Sequence, residues 1–389
     1  MNYCRRCVQP DTRPGIVFNS AGVCGACLYE DDVKYNIDWS QREKELRDIA
    51  TWAKKKATGS YNCAIGISGG KDSTFQALYA RDKLGLHVLL VNSEPEGITE
   101  IGRHNIENII NLGFDCIKVR PNPAIMKKLI KRDFYKFLNP LKCTEYSLWS
   151  SVYIIANQFN IPLVIQGENA TFTLGVRTGL TPDGDCLNAN KTNTLSEDWK
   201  TYISEDIEEK DLFLFHYNRA ELDAKEIRGV WLQYYAKEWS SYNNVRLAIA
   251  NGLMVRPVDH NPAWIGTYGN YYQMDEDILQ VQQMCKYIKF GFGQGTDHAC
   301  YDIRAGRITR EEGVALVKAF DGLCAERYIR EFCHYIGISI ADFWETVNTF
   351  RGSMWKLNKG VWQLTSPIWE QDPPSSRINV YDLAYKLAV

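Results

Sequence analysis

An apolar run, Cys63-Ala64-Ile65-Gly66-Ile67, breaks directly into Ser68-Gly69-Gly70-Lys71-Asp72-Ser73, and this junction limits the fold more than any other stretch of the chain. A continuous apolar segment of that length predicts a buried strand, and helical spacing begins near Ser73. Two adjacent glycines let backbone N–H groups turn toward one point without Cβ obstruction. A helix N-terminus adds the positive end of its dipole. The turn therefore reads as a cradle for a nucleotide pyrophosphate. It departs from the Walker loop, which needs glycine where Ile65 stands and Ser or Thr where Asp72 stands. The bland alternative is a tight strand-to-helix corner, but Ser, Lys, Asp and Ser are hard to place there without a ligand.

Strands and helices alternate around this loop. Trp39 to Lys56 has helical spacing, with Leu46, Ile49, Ala50 and Ala53 on one stripe. After strand 63–67 the pattern predicts helix 74–84, strand 86–92, a helix from about Thr99 to Leu112 and strand 114–119. Helices 124–138 and 144–159 and strand 162–166 follow. This alternation implies a parallel sheet with helices on both faces, whose ligands sit beyond the carboxyl ends of the strands. Three segments converge there: loop 68–73, Val91-Asn92-Ser93-Glu94, and Gln166-Gly167-Glu168-Asn169. The segment around Asn92 offers backbone groups to an adenine edge. Gly167 permits close approach, and Glu168 or Asn169 suits Mg2+ or a sugar. For Glu94 and Glu168 the competing reading is a solvated loop carboxylate. Asp72 is better placed than either for Mg2+, which takes one or two carboxylates plus phosphate oxygens. Cys143 reads as a buried or N-cap residue, since no second cysteine stands three residues away.

Cys4-Arg5-Arg6-Cys7 and Cys24-Gly25-Ala26-Cys27 have the C-x2-C-x16-C-x2-C spacing of a tetrathiolate zinc ribbon. Each pair forms a turn that aims two sulfurs at one metal, and Pro10, Pro14 and Gly15 between them suit a hairpin. Four thiolates close the coordination sphere, so Cys4, Cys7, Cys24 and Cys27 predict structural Zn2+ whose binding stabilises a ribbon too small for its own core. Redox dithiols and disulfides are the alternatives. The remaining cysteines are scattered singly, as small core residues would be.

The 389 residues suffice for two or three domains, and 45 basic against 47 acidic residues give a formal net charge of −2. That balance indicates no general affinity for nucleic acid, although a small anionic substrate is allowed. No segment approaches the roughly 20 apolar residues of a membrane span, and the first residues hold no signal-peptide apolar core, so a cytoplasmic protein with no membrane partner is expected. Residues 170–215 look irregular, with Thr181-Pro182-Asp183-Gly184-Asp185 a turn. Beyond them the pattern is helical: Asp275 to Phe290 is amphipathic, Thr309 and Glu312 form a capping box, and Ser339 starts a further helix. The expected domains are residues 1–38 (zinc ribbon), 39–215 (nucleotide domain) and 216–389 (helical substrate or partner domain). In the last, Arg304, Arg307 and Arg310 are spaced to clamp a diphosphate, since guanidinium offers paired donors to phosphate oxygens. The alternative is a loop with ion pairs to Asp297, Asp302 and Glu311.

The variant Ser-Gly-Gly-Lys-Asp-Ser resembles the PP-loop of the ATP pyrophosphatases, which split ATP between the α and β phosphates. Combined with the ribbon, with Gln166-Gly167-Glu168-Asn169, with Trp231-Leu232-Gln233-Tyr234-Tyr235 and with Ile303-Arg304-Ala305-Gly306-Arg307-Ile308-Thr309-Arg310-Glu311-Glu312, it resembles the N-acetyl sugar amidotransferases of bacterial surface-polysaccharide synthesis. The resemblance implies an α/β PP-loop domain between a zinc ribbon and a C-terminal helical domain. It also implies an ATP-dependent, AMP-forming conversion of an acetamido group on a nucleotide-linked N-acetyl sugar to an acetamidino group. Ser68, Gly69, Gly70, Lys71, Asp72, Ser73, Asn92 and Gly167 would bind ATP, with Lys71, Asp72 and Glu168 catalytic. Asn169, Arg304 and Arg307 would bind the sugar nucleotide. Separate glutaminase and cyclase-like barrel subunits would supply ammonia. A tRNA-modifying PP-loop enzyme of thiolase or lysidine type shares the ribbon and loop, but would want a basic face and catalytic cysteines. A non-catalytic nucleotide-holding subunit is the third reading.

Overall fold

Five short strands, β1 (Cys63–Ile67), β2 (Val88–Ser93), β3 (Asp115–Val119), β4 (Leu163–Gln166) and β5 (Arg228–Trp231), form one sheet in the order β3-β2-β1-β4-β5. Every neighbouring pair is parallel. The computed structural model describes residues 1–176, 183–188 and 195–389. Thr181 and Pro182 of the expected turn lie outside the described residues. The chain runs outward from β1 to β3 and then returns to place β4 on the other side of β1, with Ile65 opposite Ile165. Such a reversal opens a crevice beyond the carboxyl ends of the two central strands.

Side-chain alternation explains the two covered faces. Ile65, Ile67 and Leu90 pack with Leu46, Ile49, Ala53 and Phe75 on one side. Ala64, Leu89 and Val91 pack with Val152, Tyr153 and Ala156 on the other. Both faces are dry, so the central strands read as unbroken apolar runs. The helix after β1 starts at Lys71, two residues earlier than the spacing predicts, and runs to Leu78 before a wider turn over Tyr79–Lys83. The nucleotide domain was expected to end at 215. Its sheet runs past that boundary, because Arg228–Trp231 pairs with β4 from Leu163↔Arg228 to Gln166↔Trp231.

C-terminal to the sheet the chain is mainly helical, through Ile278–Phe290, Gln294–Arg304, Arg310–Phe320, Glu326–Ile336 and Ile340–Thr349. Thr309 and Glu312 make the expected capping box, and Ser339 caps the last of these helices with Asp342. The helix expected from Asp275 begins at Ile278, since the preceding residues lie against 97–99. There Thr99 N donates to Asp275 O and Asp277 N to Gly97 O, each at 3.0 Å. A hairpin of β6 (Trp355–Asn358) and β7 (Val361–Leu364) interrupts the helices near the end of this region.

The N-terminal ribbon packs on these helices. Cys4, Cys7, Val8, Cys24 and Cys27 share one apolar cluster with Ala299, Cys300, Val314 and Leu316. Arg310 fastens the contact. Its Nη1 donates to Cys4 O at 2.7 Å and also to Cys7 O, while Nε donates to Asp372 Oδ2 at 2.8 Å. Arg310 is therefore a tie between ribbon and helices, which corrects its expected part in a phosphate clamp. Arg310→Ala should lower stability by about 2–3 kcal/mol in a denaturant titration, because it strips a charged donor from partly buried carbonyls. Nucleotide binding, measured calorimetrically, should stay unchanged.

Candidate active site

A cavity of about 550 Å³ opens where β1 and β4 end. Ser68, Gly69, Gly70, Lys71 and Asp72 form one wall, Glu168 stands beside them, and Lys286, Asp297, Arg304 and Arg307 face them from the helical region. Its size falls within the ordinary range for small-ligand sites.

The loop conformation follows from its glycines. Gly69 has φ +85°, and a Cβ there would lie 2.9 Å from Ile106 N, so only glycine allows both the turn and the approach of the neighbouring helix. Gly70 N donates to Ser68 Oγ at 3.4 Å. Ser73 Oγ and Thr74 Oγ1 both donate to Gly70 O at 3.0 Å, tightening the helix start while the first backbone N–H groups face the cavity end. Asp72 is held from two sides: it pairs with Lys71 Nζ, and its Oδ1 accepts from Asn244 Nδ2 at 2.7 Å. Burial pushes the Lys71 ammonium down, but Asp72 and then Glu168 outweigh it, so the net shift is upward and the charge is kept.

The Glu168 side chain is open to the cavity, and its carboxyl is pushed up, first by desolvation among the surrounding walls and then by the charge of Asp72, with Lys71 opposing. Two carboxylates and one ammonium thus meet at the mouth of the phosphate loop, a set suited to a magnesium–polyphosphate complex. On the far wall Arg307 Nη1 donates to Asp302 Oδ1 at 2.8 Å and to Tyr271 Oη at 3.2 Å, and Arg304 Nη2 donates to Thr173 O at 3.0 Å. Asp297 pairs with Lys286 at 2.7 Å and with Arg13 of the ribbon. Tyr272 stacks on His298, with ring centroids 3.4 Å apart. Gln294 also lines the cavity, and both its Nε2 and its Oε1 are buried without a protein partner.

The four ribbon cysteines place their Sγ atoms within 4.8 Å of one another. Cys7 Sγ and Cys24 Sγ are 3.7 Å apart, and Cys4 Sγ and Cys27 Sγ 4.0 Å, close to the edge of about 3.8 Å that metal–sulfur bonds near 2.3 Å give a tetrahedron. Arg6 N and Cys24 N donate to Cys4 Sγ at 3.4 and 3.3 Å, as expected around a thiolate. All four are buried free cysteines, so the site fits one enclosed metal ion.

Lys71, Asp72, Glu168, Arg304 and Arg307 thus line one space, as do Ser68, Gly69 and Gly70. Four expected ligand contacts fall elsewhere. Asn92 is buried and its Nδ2 donates to Ile67 O at 2.9 Å, so it ties the ends of β1 and β2 together in place of holding adenine. Gly167 lies behind the wall, where a Cβ would come 2.7 Å from Gln76 Nε2 and 3.0 Å from Trp239; packing, not a ligand, calls for glycine. Asn169 is fully buried and its Oδ1 caps Thr171 N at 2.9 Å. The Ser73 hydroxyl is spent on Gly70 O, leaving only its backbone N–H for an anion. Asn244, Lys286 and Gln294 escaped the sequence reading, because nothing local marks them. Cys143 is fully buried, and burial followed by the charge of Asp133 pushes its thiol up, so it sits in the core as expected.

Residues 265–368, which include Gln294, Arg304 and Arg307, match the family model described as LPS biosynthesis protein WbpG-like, C-terminal domain. That match covers about a quarter of the chain. Over 110 residues the chain is 29% identical to the uncharacterized protein MJ1599 of Methanocaldococcus jannaschii, covering 28% of this chain and 38% of that protein. It therefore spans well under two thirds of that relative's length. Among solved structures it is similar to the NH3-dependent NAD synthetase of Campylobacter jejuni, at 18% identity and TM-score 0.29 over 36% of this chain and 61% of that one. NMN synthetase of Francisella tularensis is matched at 19% identity and TM-score 0.28, over 48% and 78% of the two chains. Likeness at this level says nothing of activity. Among the described residues, no helix is long and apolar enough to cross a membrane.

Stripping metal from the purified chain with a strong chelator should release one equivalent of zinc by elemental analysis. Loss of a buried structural ion should also lower the melting temperature by roughly 5–10 °C. Retention of the full melting temperature in metal-free protein would contradict the enclosed site.

Proposed function

We propose that the chain is an ATP-dependent, AMP-forming amidotransferase of surface-polysaccharide biosynthesis, converting the acetamido group of a nucleotide-linked N-acetyl sugar to an acetamidino group. One observation carries the reading: the glycine loop after β1 and the arginines of the WbpG-like domain face each other across a single cavity. Ser68 to Asp72 would hold the polyphosphate of ATP, and Arg304 and Arg307 the diphosphate of the sugar nucleotide.

The chemistry sets the order of events. An amide carbonyl is a weak electrophile and oxide a poor leaving group, so ammonia alone does not displace the oxygen. Moving AMP onto that oxygen releases pyrophosphate and creates a carbon from which AMP leaves readily. Lys71 and the first N–H groups of the helix at Lys71 face the charge that grows on departing pyrophosphate, and such preorganised stabilisation is usually the largest catalytic term. Magnesium, held by Asp72 and Glu168, would supply further neutralisation of the phosphates. Asn244 orients Asp72 for that role through its 2.7 Å hydrogen bond. Zinc in the four-cysteine site would be structural. A separate glutaminase with its barrel subunit would deliver ammonia, and the protein would act in the cytoplasm.

The burial of Cys143 and the absence of a sulfur partner weigh against a thiolase reading. Incubating the protein with ATP, Mg2+, ammonium and a UDP-linked acetamido sugar should give AMP and pyrophosphate in equal amounts, dependent on the sugar. Sugar-dependent ADP and orthophosphate, or AMP that needs tRNA, would overturn the proposal. The raised carboxyl of Glu168 also sets an acid limb. Protonation removes its charge, so kcat/KM should fall about tenfold per unit below pH 6, and Glu168→Gln should lower activity while abolishing that limb.

A further inference from the structure

His298 stands in the second turn of the helix Gln294–Arg304 and lines the main cavity. Its ring is held on several sides: Tyr272 stacks on it with centroids 3.4 Å apart, and Tyr268 meets it edge-on at 6.4 Å. Nδ1 shares a hydrogen bond with Thr267 Oγ1 at 2.5 Å. Although the residue is only 4% exposed, Nε2 has no partner among the described residues and is not sealed from solvent, so the free nitrogen gives onto the cavity that the ring lines. None of the steps proposed above uses it.

Thr267 decides which nitrogen carries the ring proton. That residue is fully buried, and among the described residues its hydroxyl has the imidazole as its one partner. A buried O–H left without an acceptor costs free energy, so the hydroxyl donates to Nδ1, and the proton of the neutral ring is left on Nε2. The ring stays neutral because burial pushes the imidazole well below its ordinary range; Asp297 opposes that fall, while Lys71, Lys286 and Arg256 add to it. A fixed N–H donor without net charge thus faces the ligand space.

Its acceptor follows from what stands nearby. Lys71 Nζ lies 5.2 Å from the centroid of the same Tyr272 ring that stacks on His298, so the ammonium of the phosphate loop and the imidazole both lie against one aromatic side chain. The acetamido oxygen is a poorer match, because it must give an electron pair to phosphorus and a donor would hold that pair back. Phosphate oxygens gain charge as pyrophosphate leaves, and a preset donor serves them. Resting on the reading of this cavity as an ATP site, we propose that His298 is a further phosphate-binding residue, its neutral Nε2–H donating to an oxygen of the ATP polyphosphate beside Lys71.

The test uses the full chain in solution, with magnesium pyrophosphate and MgATP as probes. Nitrogen-15 NMR separates protonated from bare ring nitrogens, and comparison with His298→Gln assigns His298 among the six histidines. The free chain should show the proton on Nε2, and pyrophosphate should shift that resonance. A proton on Nδ1, or an Nε2 signal that moves only when a UDP-linked acetamido sugar is added, overturns the proposal. In calorimetry His298→Ala should weaken binding of both probes about tenfold, the loss of a hydrogen bond to a charged acceptor, and His298→Gln, which keeps an N–H donor, should recover most of it. Unchanged affinity in His298→Ala overturns the proposal as well; should that variant fail to fold, the wild-type spectra decide. A wild-type chain that binds neither probe sinks the ATP reading and this proposal together. Normal nucleotide binding and the expected Nε2 shift without sugar-dependent AMP remove only the amidotransferase and leave His298 in its role.

Discussion

The pairing of β1 with β4 is the constraint from which the site follows. Ile65 and Ile165 are far apart in the chain yet backbone neighbours in the sheet, and the strands that carry them end side by side. The glycine loop leaves one end and Glu168 follows the other. Without that adjacency Glu168 would not stand in the field of Lys71 and Asp72, whose charges act on it in opposite directions. Both faces of the central strands are sealed by helices, so the register is set by apolar packing and resists slippage.

The facing wall depends on a different tie. Helices between Ile278 and Phe320 bring Arg304, Arg307 and Lys286 to the cavity, and the ribbon supports those helices from behind. Arg13 of the ribbon pairs with Asp297, which also holds Lys286 at 2.7 Å. The four-cysteine cluster is thus joined to the ligand cavity through one carboxylate. Metal at the ribbon would act on the site by holding Arg13 in place, with no contact to substrate.

The loop at Ser68–Ser73 was legible because its residue types make little sense without a ligand, and the ribbon because its spacing leaves few alternatives. Helix and strand periodicity located β1 to β4. It missed β5, since Arg228-Gly229-Val230-Trp231 is too short and mixed to declare itself. Asn92 and Asn169 mark a recurring ambiguity: asparagine at a strand end bridges or caps backbone as readily as it meets a ligand, and here both do so. Arg310 shares its surroundings in sequence with Arg304 and Arg307, yet the turn at Gly306 and the capping box at Thr309 carry it to the ribbon side. Asn244 gains its meaning only from a helix packed across the sheet end, which local pattern does not report.

The contact between the ribbon and the late helices imposes an order on biosynthesis. Cys7 and Val8 belong to one apolar cluster with Ala299, Cys300, Val314, Ile368 and Leu387, and Gln371 Nε2 donates to Met1 O at 3.1 Å. On the ribosome the ribbon emerges long before any of these, so it waits with its apolar side uncovered until those helices have left the exit tunnel. Early capture of a metal ion would stabilise it during that interval, and the thiols must stay reduced until it happens.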